Sequence, residues 1–500
     1  MTNLCNLEFF FMMKAIVVLA AACCVFGMAG QSFECVRTTE SGAWKPAGKV
    51  KLSSKPSGTV VETLAAPVNF GRWGTCFNER GYDALNMLPE SDRAVIMEKV
   101  FSPEGELRIN MGRIPMNAND YARDWYSCDE VAGDFDLRYF NIDRDKETVI
   151  PFIHEAQKLC PDMTFWASPW CPPSWMKINA DYPVRSDGTN DMDPRKDAFL
   201  FAGQPDVNRE DYKAPKGIFP PKLSENDYFI MDPRYLQTYA DYFGKFIDAY
   251  AGQNIPIDMV MFQNESWSYT PYPGCAWTPE GIILFNTRYL APTLAKTHPD
   301  VDIYFGTINT NRYDVIDKVL ADSLAPKTFK GVGFQWEGGQ ILPSIREKYP
   351  HYRYVQTEGE CGWGSFDWAA AEHTFERINH YLGNGAEDYT FWNFILADDG
   401  CSGWGWKQNA LIRVDSAAKT YTLTPEYYAV RHYANFIPSG SRITAWRGGD
   451  TPVLVAMKPD GKTVVTAANF TDSKVRLAVP VGRKYLNITV TPHSLNTYSE

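Results

Sequence analysis

The sequence lacks the features of several common functional classes. It has no long basic run, and its formal net charge is −11. Nucleic acids and anionic membranes both attract basic surfaces, so neither is an expected partner. The seven histidines are dispersed, and no H-E-x-x-H, G-x-S-x-G or phosphate-binding glycine motif occurs. We therefore expect neither a metal nor another cofactor.

No apolar run near the N-terminus is long enough for a membrane anchor, which needs roughly 18–20 residues. Instead, Met13 and Lys14 precede a shorter apolar segment that ends in small residues near Ala29 and Gly30. This pattern is typical of an export signal. We predict a signal peptide over residues 1–30, with Met13 as an alternative start. The mature protein is then secreted or periplasmic, without stable membrane insertion.

The cysteines also lack a C-x-x-C pair, which excludes zinc ribbons and thioredoxin-like redox sites. The eight cysteines beyond residue 30 are scattered along the chain. Export would permit disulfides, but the sequence leaves their pairing open.

Between residues 70 and 396 the chain repeats a short apolar segment, a polar loop and a helical pattern. Most of the apolar segments are near-continuous, as in strands buried on both faces of a parallel sheet. Helices are predicted between them, for example over 233–250 with Asp232 as the cap. This alternation predicts an α/β fold, a (β/α)₈ barrel over residues 69–437. The eight predicted strands are 71–77, 106–116, 163–170, 257–265, 301–307, 331–336, 352–358 and 388–396.

Three further regions do not follow this alternation of strands and helices. Residues 438–500 contain short strands with turn signals, which predict an antiparallel β-sandwich. Residues 31–68 are extended segments expected to complete the sandwich. Residues 171–232 are rich in Pro, Asp, Gly and Asn and too long for a simple connection, so we predict a loop over one face of the barrel.

Polar and aromatic residues follow the predicted strands, where a (β/α)₈ barrel carries its reacting groups. In "VMFQNESWSY", Asn264 and Glu265 follow an apolar run, and Glu358 ends "VQTE". Glycosidic cleavage needs two carboxyl groups, and tryptophan faces suit sugar rings, so the set indicates a sugar site. Each acid taken alone could be a solvated loop residue. The other candidates at strand ends are Asp120, Trp170, Gln335, Trp336, Trp392 and Asn393.

Several motifs, in order, give the chain a resemblance to glycoside hydrolase family 30, the glucosylceramidase-like family. They are "RIPMNANDY", "ASPWCPPSWMK", "QNESWSYTPYPGCAWTPE", "VQTEGECG", "FWNFIL", "WGWKQN" and "NFIPSGSRI", and the resemblance runs from about residue 68 to the C-terminus. It implies a barrel with an attached β-sandwich and a retaining double-displacement mechanism. By this resemblance, Glu265 corresponds to the acid/base after the fourth strand and Glu358 to the nucleophile after the seventh.

The resemblance also implies a set of substrate contacts. Asn264 corresponds to the residue that hydrogen-bonds the sugar 2-hydroxyl. Asp120 would accept a hydroxyl, and the tryptophans would form stacking walls. For Arg113 a purely structural ion pair is the alternative. The residues that match subsite positions are Arg113, Asp120, Trp170, Trp392 and Asn409.

The mechanism requires opposite protonation states. Glu358 must be ionised, and we expect hydrogen-bond donors around it, with Asn264 and Asn393 as candidates. Glu265 must begin protonated, with a pKa raised by apolar walls and by the neighbouring carboxylate.

The sequence departs from the family at two positions, and a third position offers an alternative nucleophile. Ser266 replaces the proline that commonly follows the acid/base. Gln335 stands where the glucosylceramidase-like members often carry histidine, which leaves the polar contact near the nucleophile in doubt. Glu360, two residues after Glu358, would point to the same side of a continued strand and is the alternative nucleophile.

We therefore predict a monomeric retaining β-glycosidase with a carbohydrate substrate. A β-1,6-linked glucan is the preferred substrate; xylan or xylosides, β-1,6-galactan and glucosylceramide are alternatives. A carbohydrate-binding protein without catalysis is the alternative from another class. A lipid-surface enzyme would show an exposed apolar patch near 171–232. Endo or exo action depends on the 171–232 and 266–280 loops and stays open.

Overall fold

The computed structural model describes residues 32–186, 190–193 and 227–500. Eight parallel strands close into a barrel in chain order, which confirms the predicted fold. Each predicted strand segment coincides with one of them, and only the fifth strand extends past its segment, by one residue. They are β1 (Trp73–Cys76), β2 (Met111–Met116), β3 (Thr164–Pro169), β4 (Met259–Met261), β5 (Asp302–Ile308), β6 (Gly331–Gln335), β7 (Arg353–Glu358) and β8 (Asp388–Phe391). The predicted signal peptide and much of the predicted 171–232 loop lie outside the described residues.

The helices lie between the strands as the sequence indicates. In helix Pro233–Ala251 the Asp232 side chain accepts from the backbone N–H of Arg234, and the predicted stripe from Leu236 to Ile247 is buried. The other α-helices are Glu79–Asn86, Glu90–Phe101, Asp143–Glu147, Val149–Gln157, Pro279–Phe285, Ala291–Thr297, Tyr313–Leu320, Ala325–Thr328, Leu342–Lys348, Trp368–Gly383 and Pro425–Ala434. Short 3₁₀ segments cover Ser174–Met176 and Trp336–Gln340, and a π segment covers Asn286–Leu290. Among the described helices, none is long and apolar enough to cross a membrane.

The interior of the barrel changes from apolar to polar along the strands. A layer of buried side chains that includes Met111 and Trp166 fills the barrel near the strand starts. Two residues further along β2 and β3, and so on the same face, stand Arg113 and Ser168. The two Arg113 nitrogens Nε and Nη2 donate to Ser168 Oγ at 3.3 and 3.1 Å. The polar layer therefore lies at the carboxyl ends of the strands.

The predicted β-domain is present, is largely antiparallel, and joins both ends of the described chain. Strand Ser32–Thr39 pairs with Ser494–Ser499, with Cys35 opposite Tyr498. Strand Gly42–Ser53 pairs first with Ser32–Thr39 and at its end with Lys484–Val490, so ten strands form one continuous sheet. One apolar core takes side chains from both halves of that sheet. The remaining strands are Thr59–Val60, Glu62–Asn69, Arg442–Gly448, Thr451–Met457, Thr463–Asn469 and Val475–Val481.

The predicted eighth barrel segment, 388–396, is divided in the structure. Barrel pairing ends at Phe391, and Ile395–Ala397 joins a separate small sheet with Ile412–Asp415 and Thr420–Leu423. The sequence did not predict this sheet. It fastens both ends of the 398–411 loop, which reaches the mouth of the barrel.

All eight described cysteines have free thiols. Seven of them are buried, and Cys401 is exposed. The buried thiols act as small apolar side chains in the packing.

Candidate active site

A cavity of about 320 Å³ opens at the carboxyl ends of the barrel strands. Six of the predicted site residues line it: Asp120, Trp170, Asn264, Glu265, Trp336 and Glu358. Both candidate catalytic acids therefore face one space. Its other lining residues are Tyr272, Glu337, Gln340, Glu360, Trp363, Arg377, Trp406 and Gln408.

Glu265 follows β4 in a left-handed backbone conformation, with φ of 50°. Such a conformation is costly for a residue with a side chain and is found where the surrounding structure fixes it, often at functional sites. Glu265 Oε1 accepts from Gln335 Nε2 at 3.1 Å and Oε2 accepts from Ser268 Oγ at 3.0 Å. Burial, and then the neighbouring charge of Glu358, raise the pKa of Glu265 to about 7, against the two donors. This carboxyl group can hold a proton near neutral pH.

Glu358 ends β7 with a donor on each carboxyl oxygen. Arg113 Nη1 donates to Oε2 at 2.7 Å, and Trp336 Nε1 donates to Oε1 at 2.9 Å. Charge-assisted bonds of this kind suit an ionised carboxylate. The expected donors were Asn264 and Asn393, but the structure places Arg113 and Trp336 in that role.

Asn264 is oriented by donors that converge on its side-chain oxygen. Arg113 Nη2 at 2.7 Å, Thr307 Oγ1 at 3.0 Å and Gln335 Nε2 at 3.3 Å all donate to Asn264 Oδ1. The assignment of oxygen and nitrogen is therefore fixed by the network. Asn264 Nδ2 has no hydrogen-bond partner within the described ranges, and the residue lines the cavity. This N–H₂ group can donate to a bound hydroxyl.

Arg113 is fully buried and connects Asn264, after β4, with Glu358, at the end of β7. It pairs with Glu358 and donates to Asn264, and its guanidinium carbon lies 4.2 Å from the centroid of the Trp170 ring. It does not line the cavity. The ion pair considered for Arg113 is present, and its partner is the candidate nucleophile.

Gln335 lies on the side of the acid/base candidate. Thr357 Oγ1 donates to Gln335 Oε1 at 2.9 Å, which turns the Nε2 group toward Glu265 and Asn264. The amide of Gln335 therefore contacts the acid/base candidate, while the polar contacts of the candidate nucleophile come from Arg113 and Trp336. Gln335 is fully buried beneath the cavity and is not one of its lining residues.

Three predicted substrate contacts lie behind the cavity wall. Trp392 is fully buried and stacks on Trp170, with ring centroids 5.0 Å apart and planes at 30°. Asn393 Nδ2 donates to Gln408 Oε1 at 2.8 Å. Asn409 Oδ1 accepts from the backbone N–H of Phe366. Trp392 and Asn393 contact lining residues from behind, and none of the three residues lines the cavity itself.

Asp120 lies in the loop after β2. Its Oδ1 is buried and has no hydrogen-bond partner in the described part of the chain. Burial, followed by the charges of Glu358 and Glu265, raises its pKa well above the ordinary value. A buried polar atom is costly without a partner, so this carboxyl group suits a ligand hydroxyl.

Glu360, the alternative nucleophile, also lines the cavity but has different partners. Its Oε2 lies 2.6 Å from His373 Nε2, and its Oε1 lies 4.0 Å from Arg377 Nη1. Both partners belong to helix Trp368–Gly383. Of the two acids, only Glu358 accepts hydrogen bonds from Arg113 and Trp336.

Sequence reasoning missed several lining residues. Gln408 faces the cavity where Asn409, the next residue in "WGWKQN", had been predicted. Trp363 and Trp406 carried a usable signal, because each is a tryptophan inside a short, glycine-rich polar loop. The others, Tyr272, Glu337, Gln340 and Arg377, carried no signal in the sequence.

Comparison with known proteins identifies the family and agrees with the fold. The family described as the glycosyl hydrolase family 30 TIM-barrel domain matches residues 71–193 and 230–437. Lysosomal acid glucosylceramidase of Mus musculus is 27% identical over 448 residues, covering 83% of this chain and 78% of that protein. Endo-1,6-β-D-glucanase of Neurospora crassa is 23% identical over 473 residues, covering 89% and 86%. The crystal structure of SrfJ from Salmonella typhimurium has a TM-score of 0.79 at 19% identity, covering 94% of this chain and 99% of SrfJ.

Proposed function

The chain belongs to glycosyl hydrolase family 30, a family of retaining glycosidases, and on that premise we propose that it hydrolyses β-glucosidic linkages, those of β-1,6-glucan first. One observation carries the proposal. Two carboxyl groups face one cavity in opposite settings: Glu358 is held by two donors, and the pKa of Glu265 is raised to about 7. Cleavage with retention needs one ionised carboxylate and one protonated carboxylic acid.

In the first step, Glu358 attacks the anomeric carbon while Glu265 gives its proton to the departing oxygen. A glycosyl ester on Glu358 and a free alcohol result. Esterification removes the negative charge that helps to raise the pKa of Glu265, so that pKa falls and the carboxylate becomes a base. Glu265 then takes a proton from water, whose oxygen attacks the anomeric carbon and releases Glu358. Two inversions give net retention.

The sugar at the reaction centre would contact three lining residues. Asn264 Nδ2 donates to the hydroxyl next to the anomeric carbon, because its Oδ1 is already occupied by three donors. Asp120 accepts a hydroxyl through its unpartnered Oδ1. Trp170 stacks against the ring face, supported from behind by Trp392.

The polar part of the cavity lining favours a polar leaving group. It carries Glu337, Gln340, Glu360 and Arg377. A ceramide would bring apolar chains to charged groups that need water or hydrogen bonds. The relatives include a glucosylceramidase and an endo-1,6-β-D-glucanase, and these polar lining residues support the second activity. We also propose export of the chain, on the pattern of residues 13–30.

Product analysis tests the proposal. The purified protein is incubated with β-1,6-glucan, xylan, β-1,6-galactan and glucosylceramide, and the anomer first released is followed by NMR. We expect soluble products from β-1,6-glucan, released first as the β-anomer. Release of the α-anomer would contradict retention. If xylan, β-1,6-galactan or glucosylceramide is cleaved faster than β-1,6-glucan, that compound becomes the preferred substrate. Binding to glucan without any cleavage would identify a carbohydrate-binding protein.

The nucleophile is tested by Glu358→Gln. We expect turnover to fall by about 10³-fold or more, because an amide cannot form the glycosyl ester, while glucan binding persists. Glu387→Gln changes an acid that pairs with Arg353, outside the cavity, and serves as the control. If Glu358→Gln keeps a turnover near that of the parent, Glu358 is not the nucleophile. If turnover is lost only in Glu360→Gln, Glu360 is the nucleophile.

A further inference from the structure

An aromatic corner forms part of the cavity rim. Trp363 is 63% exposed, the highest value among the large hydrophobic side chains in the described ranges. Its ring lies against Trp406, with centroids 5.1 Å apart and planes at 69°. Trp406 in turn lies against Tyr272 at 6.0 Å. A tryptophan left this exposed beside a cavity indicates a binding surface.

A carboxylate with a fixed orientation lines the same cavity. Glu360 comes three residues before Trp363. From helix Trp368–Gly383, His373 Nε2 lies 2.6 Å from Glu360 Oε2, and Arg377 Nη1 lies 4.0 Å from Glu360 Oε1. Its side chain is 17% exposed, so it is accessible but mostly shielded from water. An anchored carboxylate accepts hydrogen bonds from hydroxyl groups without first losing side-chain freedom. The double-displacement mechanism does not use this acid.

We propose that Glu360, Trp363 and Trp406 form a second sugar-binding subsite, here called the outer subsite, beside the reaction centre. The inference rests on the proposed function and adds a requirement to it: the substrate is a chain of sugars. A pyranose ring has an apolar face and a rim of hydroxyls, which match the aromatic corner and the carboxylate. A lipid chain would remove water from the Glu360 carboxylate without offering it a hydrogen bond.

The outer subsite should affect long and short substrates differently. An aryl β-glucoside carries a single sugar, which occupies the reaction centre. A β-1,6-linked glucotetraose also places sugar rings in the outer subsite, and binding energy from remote rings raises the efficiency of the reaction. The informative quantity is therefore the ratio of kcat/KM for the tetrasaccharide to kcat/KM for the aryl glucoside.

Two variants test the subsite. We expect Trp363→Ala to lower that ratio by about tenfold or more, mainly through KM for the tetrasaccharide, because it removes a stacking face. Glu360→Gln keeps the shape but not the charge, and it should lower the ratio by about fivefold. Tyr139→Ala is the matched control, since Tyr139 is 62% exposed and does not line the cavity.

Equal losses on both substrates would indicate a structural role and overturn the outer subsite, as would a ratio within twofold of the parent. If the parent cleaves no β-glucoside, the proposed function fails, and the subsite is judged by binding. Oligosaccharides from glucan, xylan and galactan are then titrated by tryptophan fluorescence. Binding that is weakened by Trp363→Ala supports the subsite. Binding equal to that of the parent, or no binding to any oligosaccharide, rejects it.

Discussion

At the scale of the residue, the pH response of the reaction depends on the surroundings of Glu265. Burial and the charge of Glu358 favour the neutral acid, while Gln335 and Ser268 stabilise the ionised form by donating to it. The pKa of about 7 is the balance of these effects. Since the acid form gives the proton to the leaving group, activity should fall as the pH rises through this value.

Ser268→Ala tests that balance. Removing a donor to the carboxylate destabilises its ionised form, so the pKa of Glu265 rises. We expect the alkaline limb of kcat/KM to move up by about 0.5–1 pH unit. Ser441→Ala, which removes a buried hydroxyl outside the cavity, should leave the limb in place. A downward shift in Ser268→Ala would contradict the assignment of Glu265 as the acid.

Single residues also mark the limit of prediction from sequence. Asn264, Glu265 and Glu358 could be placed because each comes at or just after the end of an apolar run in the sequence. Asn409 was chosen over Gln408 because the family motif points there, but the neighbour faces the cavity. Which of two adjacent side chains faces inward depends on the backbone of the 398–411 loop, and both ends of that loop are held by the small sheet whose strands flank it.

At the scale of the element, the loop after β2 depends on one buried acid outside the cavity. Glu79 begins helix Glu79–Asn86, and its oxygens accept from Arg144 Nε at 2.8 Å and Nη2 at 3.0 Å. Glu79 Oε2 also accepts from the backbone N–H of Arg123 at 2.7 Å. This bond connects the helix to the loop that carries Asp120.

Glu79→Ala should therefore destabilise the protein and disturb the site. Removing one partner of a buried ion pair leaves the other uncompensated, and we expect a loss of about 3 kcal/mol. This value is at the low end of the usual cost of breaking a buried ion pair, because the Arg144 side chain is 28% exposed. Asp136→Ala breaks an exposed pair with Arg138 and should cost less than about 0.5 kcal/mol. Urea unfolding measures both, and equal losses would contradict the role of Glu79.

Strands were easier to predict than their ends. The apolar runs identified all eight barrel strands, because both faces of a barrel strand are buried. The fourth was predicted as 257–265 but ends at Met261, since the chain beyond it turns to place Glu265 with a positive φ. The last strand, Ser494–Ser499, was missed because "SLNTYS" is mostly polar; its pairing with Ser32–Thr39 buries it nonetheless. Such non-local pairing is not visible in a local pattern.

At the scale of the whole molecule, His432 connects the barrel to the β-domain. It lies in helix Pro425–Ala434 and is fully buried between Thr497 and Thr38. Thr497 Oγ1 donates to the His432 carbonyl, so it must accept from His432 Nδ1, 2.8 Å away. Thr38 Oγ1 can then donate to Nε2 at 2.9 Å. The network therefore assigns a neutral imidazole with its proton on Nδ1.

This arrangement makes the contact sensitive to acid. Burial, and then the charge of Arg431, lower the pKa of His432 from 6.5 to about 3. Below pH 6.5 the unfolded chain takes up a proton that the folded protein does not, so stability is lost as the pH falls. From the two pKa values the loss is about 2 kcal/mol at pH 5 and about 3 kcal/mol at pH 4.

His432→Asn should remove that dependence. At pH 7 we expect the variant to be less stable than the parent by about 1–3 kcal/mol, because buried hydrogen bonds are lost. Between pH 7 and pH 5 the difference in the free energy of unfolding between parent and variant, here called the gap, should narrow by about 2 kcal/mol, since only the parent carries the buried histidine. The carboxyl groups are common to both proteins and cancel in the comparison. Urea unfolding at the two pH values measures the gap, and His351→Asn, at an exposed histidine, serves as the control. A gap that stays constant would mean that His432 is protonated in the folded protein, and the tautomer assigned to it would be wrong.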